Sequence, residues 1–290
     1  MPMPRPESPM DLMEPSSPHL LGKVERCTME SKLPVRLGIW RLGTRIHRGR
    51  DYSVARAQPI DASRSPRWDY VLKFGSSENA RLGIAQSIAA GASLSHPNLV
   101  PVLDGDALAE TPFLVMPLLE GQTMGWHLTH GPGKPLPVAL WLIRQLCQAL
   151  NSMHSAGWTH GDVKPDNLIV GSNGHVTLVD FAFAHEGLEP RGSAFRGTPT
   201  YAAPELLRED AVKTAACDIF SAGRILWEWL SRVETANDLL LRPVCELVER
   251  MVDDSPGRRP SAFDVSQRLL RMEIDSLGEH IGPQPVRRAA

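Results

Sequence analysis

Asp162 and Asn167 stand five residues apart in DVKPDN, and a further acid, Asp180, follows after LIVGSNGHVTLV. That spacing offers one carboxylate to act as a base and two oxygen groups, from Asn167 and Asp180, to hold a metal. Mg2+ is a hard cation that prefers oxygen and keeps several waters, so one carboxylate, one amide and the oxygens of a phosphate complete its shell. Taken singly, these residues have plainer uses. Asx side chains commonly cap turns or bond to backbone, which would account for Asp162 and Asn167 alone. The residue before Asp162 is Gly161, and why a glycine should precede the acid is the question the stretch raises.

Two kinds of element must position these groups. IWRLGTRIHRGRDYSVARA, residues 39–57, reads as two strands around a turn near Arg48 and Gly49, and WDYVLKF reads as a further strand. Side chains alternate along a strand, so Val71 and Lys73 share a face. An Ala-rich helix is expected over about Ser77 to Ala92, with LVPVLD and FLVMPLL as short strands after it. Beyond Gly121 the period changes. Leu140, Ile143, Cys147, Leu150 and His154 recur at helical spacing. NLIV and HVTLVD flank Gly171 and Gly174 as a hairpin. DIFSAGRILWEWL and the stretches 240–251 and 261–272 read as helices, which makes the second half mainly helical. The class is α+β.

Composition narrows the rest. The chain has 290 residues, 42% hydrophobic and 22% charged, as in ordinary soluble proteins. A formal net charge of -2 gives no reason to expect nucleic acid or an anionic membrane surface as partner. Cys27, Cys147, Cys217 and Cys245 are scattered, which argues against a zinc site and against a disulfide framework and fits a reducing, cytoplasmic setting. No stretch reads as a membrane span; the uncharged run Leu82–Leu103 contains Gln86, His96, Pro97, Asn98 and three serines. Residues 1–37 are proline-rich, with six prolines in the first twenty, and are expected to form a disordered tail; residues 274–290 are expected to form a second tail.

HGDVKPDN, VDFA and AAPE resemble the catalytic loop, the D-F-G segment and the A-P-E segment of the eukaryotic-type (Hanks-type) serine/threonine protein kinases. YVLKF and SHPNLV precede them in the family's order, and GTPTYAAPE, DIFSAG and RRPSA complete it. Each motif is weak alone, but the ordered set, covering about Trp40 to Met272, is specific. The resemblance implies a two-lobed kinase-like fold over 38–273, with a small β-sheet N-lobe and one main helix at about 38–117 and a helical C-lobe at about 121–273. It implies ATP and Mg2+ as cofactors and a protein substrate bearing a Ser or Thr hydroxyl, Lys164 being the serine/threonine-type residue at its position. By the same resemblance Asp162 accepts the hydroxyl proton, Lys164 steadies the transferring phosphate, Asn167 and Asp180 hold Mg2+, and Lys73 grips the α- and β-phosphates. Met116 becomes the gatekeeper and Pro117 the start of the hinge. Proline lacks an N–H, but the family asks only a carbonyl there and takes its N–H two residues on, from Leu119. Val54, Val71 and Leu168 would sandwich the adenine, a role that plain core aliphatics also fit. Gly49 would approach the phosphates. Glu205 and Arg259 are expected to form a structural ion pair, and His160 to be a core histidine bonded to backbone.

The departures from the family's pattern are as informative. In HRGRDYS, His47 and Tyr52 stand where glycines are usual, so backbone amides approach phosphates less freely. Nine residues before His96, where the family places a helix glutamate, stands Ser87. Glu78 lies on the wrong face of that helix, and Gln86 offers Lys73 a hydrogen bond without charge. Gly91 replaces an apolar side chain, so the helix is expected to dock loosely. Ala182 stands for the D-F-G glycine. Gly161 replaces an arginine that would pair with a phosphate on the activation loop, so activity is expected not to require phosphorylation at Ser193, Thr198 or Thr200, with Thr198 serving as a hydroxyl near Asp162 and Lys164. These departures favour a pseudokinase, a nucleotide-binding or scaffolding module, as the rival reading. A small-molecule kinase of the aminoglycoside or choline type shares H-G-D but lacks GTPTYAAPE and RRPSA.

Overall fold

The segment from Arg36 to Pro117 builds one antiparallel sheet. Its strands are β1 (Arg36–Leu37), β2 (Trp40–Arg48), β3 (Ser53–Pro59), β4 (Tyr70–Phe74), β5 (Asp104–Asp106) and β6 (Phe113–Pro117), in the order β1-β2-β3-β4-β6-β5. This computed structural model describes residues 33–62, 64–187, 197–207, 212–233 and 237–281, so most of the proline-rich N-terminal stretch lies outside the described residues. The sheet takes in Arg36 and Leu37, which were expected to belong to the tail: they pair with Arg41 and Trp40, because a hairpin through Gly38, at φ +57, folds them back. Val54 is registered with Lys73, and Val71 with Met116. Paired side chains share a face, so these four lie on one side of the sheet.

Helix α1 (Glu78–Ser93) packs against β5 and β6. Ser77 caps it, accepting the Ala80 N–H at 3.1 Å. Its buried face is small, comprising Ala80, Gly83, Ile84, Ser87 and Ala90. The expectation of loose docking is corrected here, since a Cβ on Gly91 would stand 2.5 Å from Val102. The glycine lets the helix come close, and the valine fills the room. LVPVLD also departs from its expected strand. Val100 and Leu103 donate to Leu178 and Val115 at 3.0 and 2.8 Å, but Pro101 between them has no N–H, and the regular strand begins only at Asp104.

The second half packs α3 (Leu136–Ser155) against α4 (Ala215–Leu230) and α6 (Ala262–Ile281), with α2 (Met124–His130) and α5 (Asp238–Met251) beside them. Leu140, Ile143, Cys147 and Leu150 are buried at the spacing the sequence shows. Around the site lie β7 (Gln122–Thr123), β8 (Trp158–Thr159), β9 (Leu168–Val170), β10 (Val176–Leu178) and β11 (His185–Glu186); β9 and β10 form the expected hairpin, and β11 pairs with β8. The tail expected from 274 is corrected too, because α6 runs on to Ile281. Arg144 of α3 holds the Glu273 carboxylate at 2.7 and 3.2 Å, and Ser276 is 1% exposed. A polar tie, rather than an apolar stripe, carries the helix past its expected end.

Candidate active site

The loop from His160 to Lys164 joins β8 to a short 3-10 turn, Pro165–Asn167, that leads into β9. Two features fix its path. The first is Gly161, at φ +78, where a side chain is strained. A Cβ there would stand 2.7 Å from the Phe183 carbonyl oxygen and 3.0 Å from Cδ and Nζ of the buried Lys213. Glycine is therefore required by both the backbone and its neighbours. The second is Asp218 of α4, 1% exposed. Its carboxylate accepts the His160 and Gly161 N–H groups at 2.8 and 2.9 Å and lies 2.9 Å from Nε2 of His154. Burial would raise the Asp218 pKa, but the hydrogen bond and charge of His154, with the Gly161 amide, hold it below the usual value. His160 is fully buried, its Nε2 3.2 Å from the Val179 carbonyl oxygen and its ring edge-on to Phe181.

On this base four of the expected residues meet. Lys164 Nζ lies 2.7 Å from Asp162 Oδ2 and donates to Thr198 Oγ1 at 2.8 Å. Asn167 Nδ2 donates to the Asp162 carbonyl at 2.8 Å and to its Oδ2 at 3.2 Å, which leaves the amide oxygen as the group to offer a cation. Opposite them, Lys73, 6% exposed, donates to Asp180 Oδ1 at 2.7 Å. Asp180 has φ +69, and Oδ1 also accepts the Ala182 N–H at 3.2 Å. Burial works to raise its pKa, and Lys73, the Ala182 amide and His160 together bring it below the usual carboxylate value.

The order of these groups along the chain matches a known family. A profile described as "Protein kinase domain" matches residues 71–238. The chain belongs to the protein kinase domain family. Over 213 residues this kinase domain is 33% identical to the serine/threonine-protein kinase PkaA of Streptomyces coelicolor, covering 64% of this chain and 39% of that protein. It is 34% identical over 197 residues to the serine/threonine-protein kinase PknB of Mycobacterium leprae, covering 64% and 29%. With the human serine/threonine-protein kinase Sgk2 the identity is 29% over 184 residues, covering 62% and 50%. The chain thus spans half or less of the length of these relatives.

Within the kinase domain the expected nucleotide residues fall in two groups. Val54, Val71 and Met116 share the sheet face of Lys73, and Pro117 ends β6. Leu168 is fully buried in β9, Leu119 packs against the C-lobe core, and Gly49 donates its N–H to the Tyr52 carbonyl at 2.8 Å in the turn between β2 and β3. Arg259 grips Glu205 with two nitrogens at 2.6 and 2.8 Å, as the family pairing implies. Gln86 does not take up Lys73; its Oε1 is buried without a hydrogen-bond partner. Ser87 turns away from the lysine, and the aromatic face of Tyr52 lies against it, the ring centroid 4.0 Å from Nζ.

Three positions were missed by reading the sequence. Asp218 had a signal, an acid inside the apolar run of DIFSAGRILWEWL, since a buried acid needs partners. Tyr52 was read only as a lost glycine. Lys213 had no signal, because nothing local links it to Gly161.

Proposed function

We propose that this chain transfers the terminal phosphate of Mg-ATP to serine or threonine hydroxyls of protein substrates. The observation that carries the reading is the cluster in which Lys164 joins the Asp162 carboxylate to Thr198 while Asn167 fixes Asp162 through its carbonyl and the same carboxylate oxygen. Asp162 is held as a base with one oxygen engaged, ready to accept the proton of an incoming hydroxyl. Lys164 stands beside it to offset charge on the phosphate in flight, and Thr198 steadies Lys164. The donor set of Asn167 and Asp180, one amide oxygen and one partly exposed carboxylate, suits Mg2+ that keeps its waters and shares the phosphate oxygens. Such an ion, when bound, neutralises phosphate charge. Lys73 grips the α- and β-phosphates, and Gly49 lies at the turn over them. Val54, Val71 and Leu168 enclose the adenine beside Met116, with the Pro117 carbonyl and the Leu119 N–H as its hinge contacts.

The catalytic unit is taken as the sheet lobe through Pro117 and the helical lobe from Gly121. Among the described residues no helix is long and apolar enough to cross a membrane. Cys147, Cys217 and Cys245 are unpaired, which supports a reducing setting such as the cytoplasm. Ser87, turned away from Lys73, favours the pseudokinase reading; the seating of Lys73 on Asp180 opposes it. The test is incubation of the purified chain with Mg-ATP and generic basic and acidic protein substrates. Phosphoserine or phosphothreonine should form, and Asp162→Asn should lower the rate by about 10²–10⁴-fold. Nucleotide binding with no transfer to any substrate would overturn this reading in favour of the pseudokinase, and so would transfer untouched by Asp162→Asn.

A further inference from the structure

Ser87 stands where the family spacing puts an acidic partner for Lys73, and its hydroxyl turns back on its own helix, donating to the Gly83 carbonyl at 2.7 Å. The ground in front of it is filled. Tyr52 comes in from the turn between β2 and β3 and lays its ring against Lys73 Nζ, with the centroid 4.0 Å away. Its hydroxyl donates to the Asn79 carbonyl on α1 at 3.2 Å. A Cβ on Gly83 would stand 2.0 Å from the tyrosine Oη and 3.0 Å from Cβ of Ala182. Gly83 is thus a notch in the helix that admits the end of the ring. Helical side chains lean toward the N-terminus and cover the turn before their own Cα. A long side chain at 87 would therefore come down over residue 83, on the spot the tyrosine occupies. A tyrosine in place of a glycine, a glycine on the helix and a serine in place of an acid make one arrangement.

The geometry points to Tyr52 as the positioning residue of Lys73, its ring face holding the ammonium in place of a helix carboxylate. The inference rests on the phosphotransfer reading above and names how that site seats its lysine. An ammonium over a tyrosine face is attracted by the ring quadrupole, more strongly when water is excluded, and Lys73 is 6% exposed. Asp180 also holds Lys73 in this structure, but Asp180 is the carboxylate assigned to the cation. With that carboxylate engaged by a cation, the ring would be the contact that keeps Lys73 aimed at the phosphates. The arrangement also changes what Ser87→Glu does. The added carboxylate meets the tyrosine before it meets the lysine, so the substitution alone brings no gain.

The experiment uses the full chain with its lysines labelled in the side chain, and Lys73 assigned through Lys73→Arg. In the nucleotide-free protein the Lys73 Hε signals should carry a ring-current shift that Tyr52→Phe retains and Tyr52→Leu abolishes. Calorimetry with ADP should show affinity lowered about tenfold in Tyr52→Leu and retained in Tyr52→Phe. In the transfer assay the KM for ATP should rise by a similar factor while the KM for the protein substrate stays put. Gly83→Ala, which pushes the ring out from the other side, should reproduce the loss. Tyr52→Leu combined with Ser87→Glu should recover affinity that neither single change supplies. An unshifted Lys73 signal in the wild type would overturn the inference. So would unchanged ADP affinity in Tyr52→Leu, or a rate gain from Ser87→Glu alone. The resonance and the ADP affinity are read without catalysis, so a failure of the phosphotransfer reading leaves them standing and is told apart from a failure of this one.

Discussion

The two walls of the site are held by opposite means. On the C-lobe side the catalytic loop hangs from Asp218, which takes two backbone N–H groups and a histidine while almost wholly out of water. On the sheet side Lys73 rests on a ring face and on one carboxylate, Asp180, that the proposed function assigns to the cation. Charge-assisted hydrogen bonds to a buried carboxylate are strong and directional, while a ring face tolerates some sliding of the ammonium over it. The difference follows the task. In the proposed transfer Asp162 would have to meet a hydroxyl closely, and misplacement of reacting groups lowers rates steeply. Lys73, in the same proposal, would need only to put a charge beside two phosphates. A chain can rebuild the second wall with a tyrosine and a glycine, but the first wall has kept its carboxylate.

The hardest blow to that contrast is Asp218→Ala. It strands the buried His160 N–H, the part-buried Gly161 N–H and His154 without their acceptor, a loss of about 3–5 kcal/mol by the usual effect of removing one member of a buried polar set. Urea unfolding should show a lowered midpoint with a slope like that of the wild type. Tyr52→Leu should destabilise far less, because the loop residue it removes is only partly buried. If the two variants unfold at the same urea concentration, the claim that the walls are built differently fails.

Acid offers a milder test. The carboxyls of Asp180, Glu205 and Asp218 all lie below their ordinary values: burial opposes this and is outweighed by Lys73, Arg259 and His154 respectively. Carboxyls depressed in the folded state bind their protons later than in the unfolded chain. Their stabilisation is complete above the unfolded values, near about pH 4, and drains away as the pH falls through the lower folded values. Stability should therefore be steady from about pH 6 to 7 and fall below about pH 4. Asp218→Asn should flatten that acid limb. A limb equally steep in Asp218→Asn would show that the C-lobe carboxylate does not carry the acid response.

How much of this was open to reading from the sequence also divides along the two walls. DVKPDN and VDFA hold their residues close together in the chain, so local spacing pointed to Asp162, Asn167 and Asp180 and the family resemblance added Lys164; the structure sets Asp162, Lys164 and Asn167 beside Thr198. The helical period of 140–154 likewise gave α3 and its buried face. What was not legible arises between distant segments. Tyr52 meets Lys73 only because β3 registers Val54 against it, and Gly83 matters only once the ring arrives. Gly91 read as a deficit because its neighbour Val102 was invisible from the helix alone. The end of α6 was misplaced because Arg144, in another helix, holds it. Absences along a sequence read as losses, and the residue that fills the gap sits elsewhere.

Gly161 is the sharpest instance, and it yields the smallest expected effect. The missing arginine suggested a pocket without charge, yet Lys213 brings a cation to that very place, with Nζ 3.0 Å from where a Cβ at 161 would stand. Lys213 is 5% exposed, and the residue is not without a partner. A phosphate added to the activation loop would meet a lysine that is already buried and partnered, and little new order follows from such a contact. Of the loop hydroxyls, Ser193 lies outside the described residues, Thr200 is exposed, and Thr198 is taken up by Lys164. Phosphatase treatment, checked by mass spectrometry, should therefore leave the rate on an external substrate nearly unchanged, and so should Ser193→Ala and Thr200→Ala. Thr198→Ala should stand apart, lowering the rate about tenfold by removing a hydroxyl from a charged partner. An enzyme that is dead when dephosphorylated and revives when one loop site is refilled would show that Lys213 is a receptor awaiting its phosphate. The C-lobe wall would then be as conditional as the sheet wall, and the contrast between them would collapse.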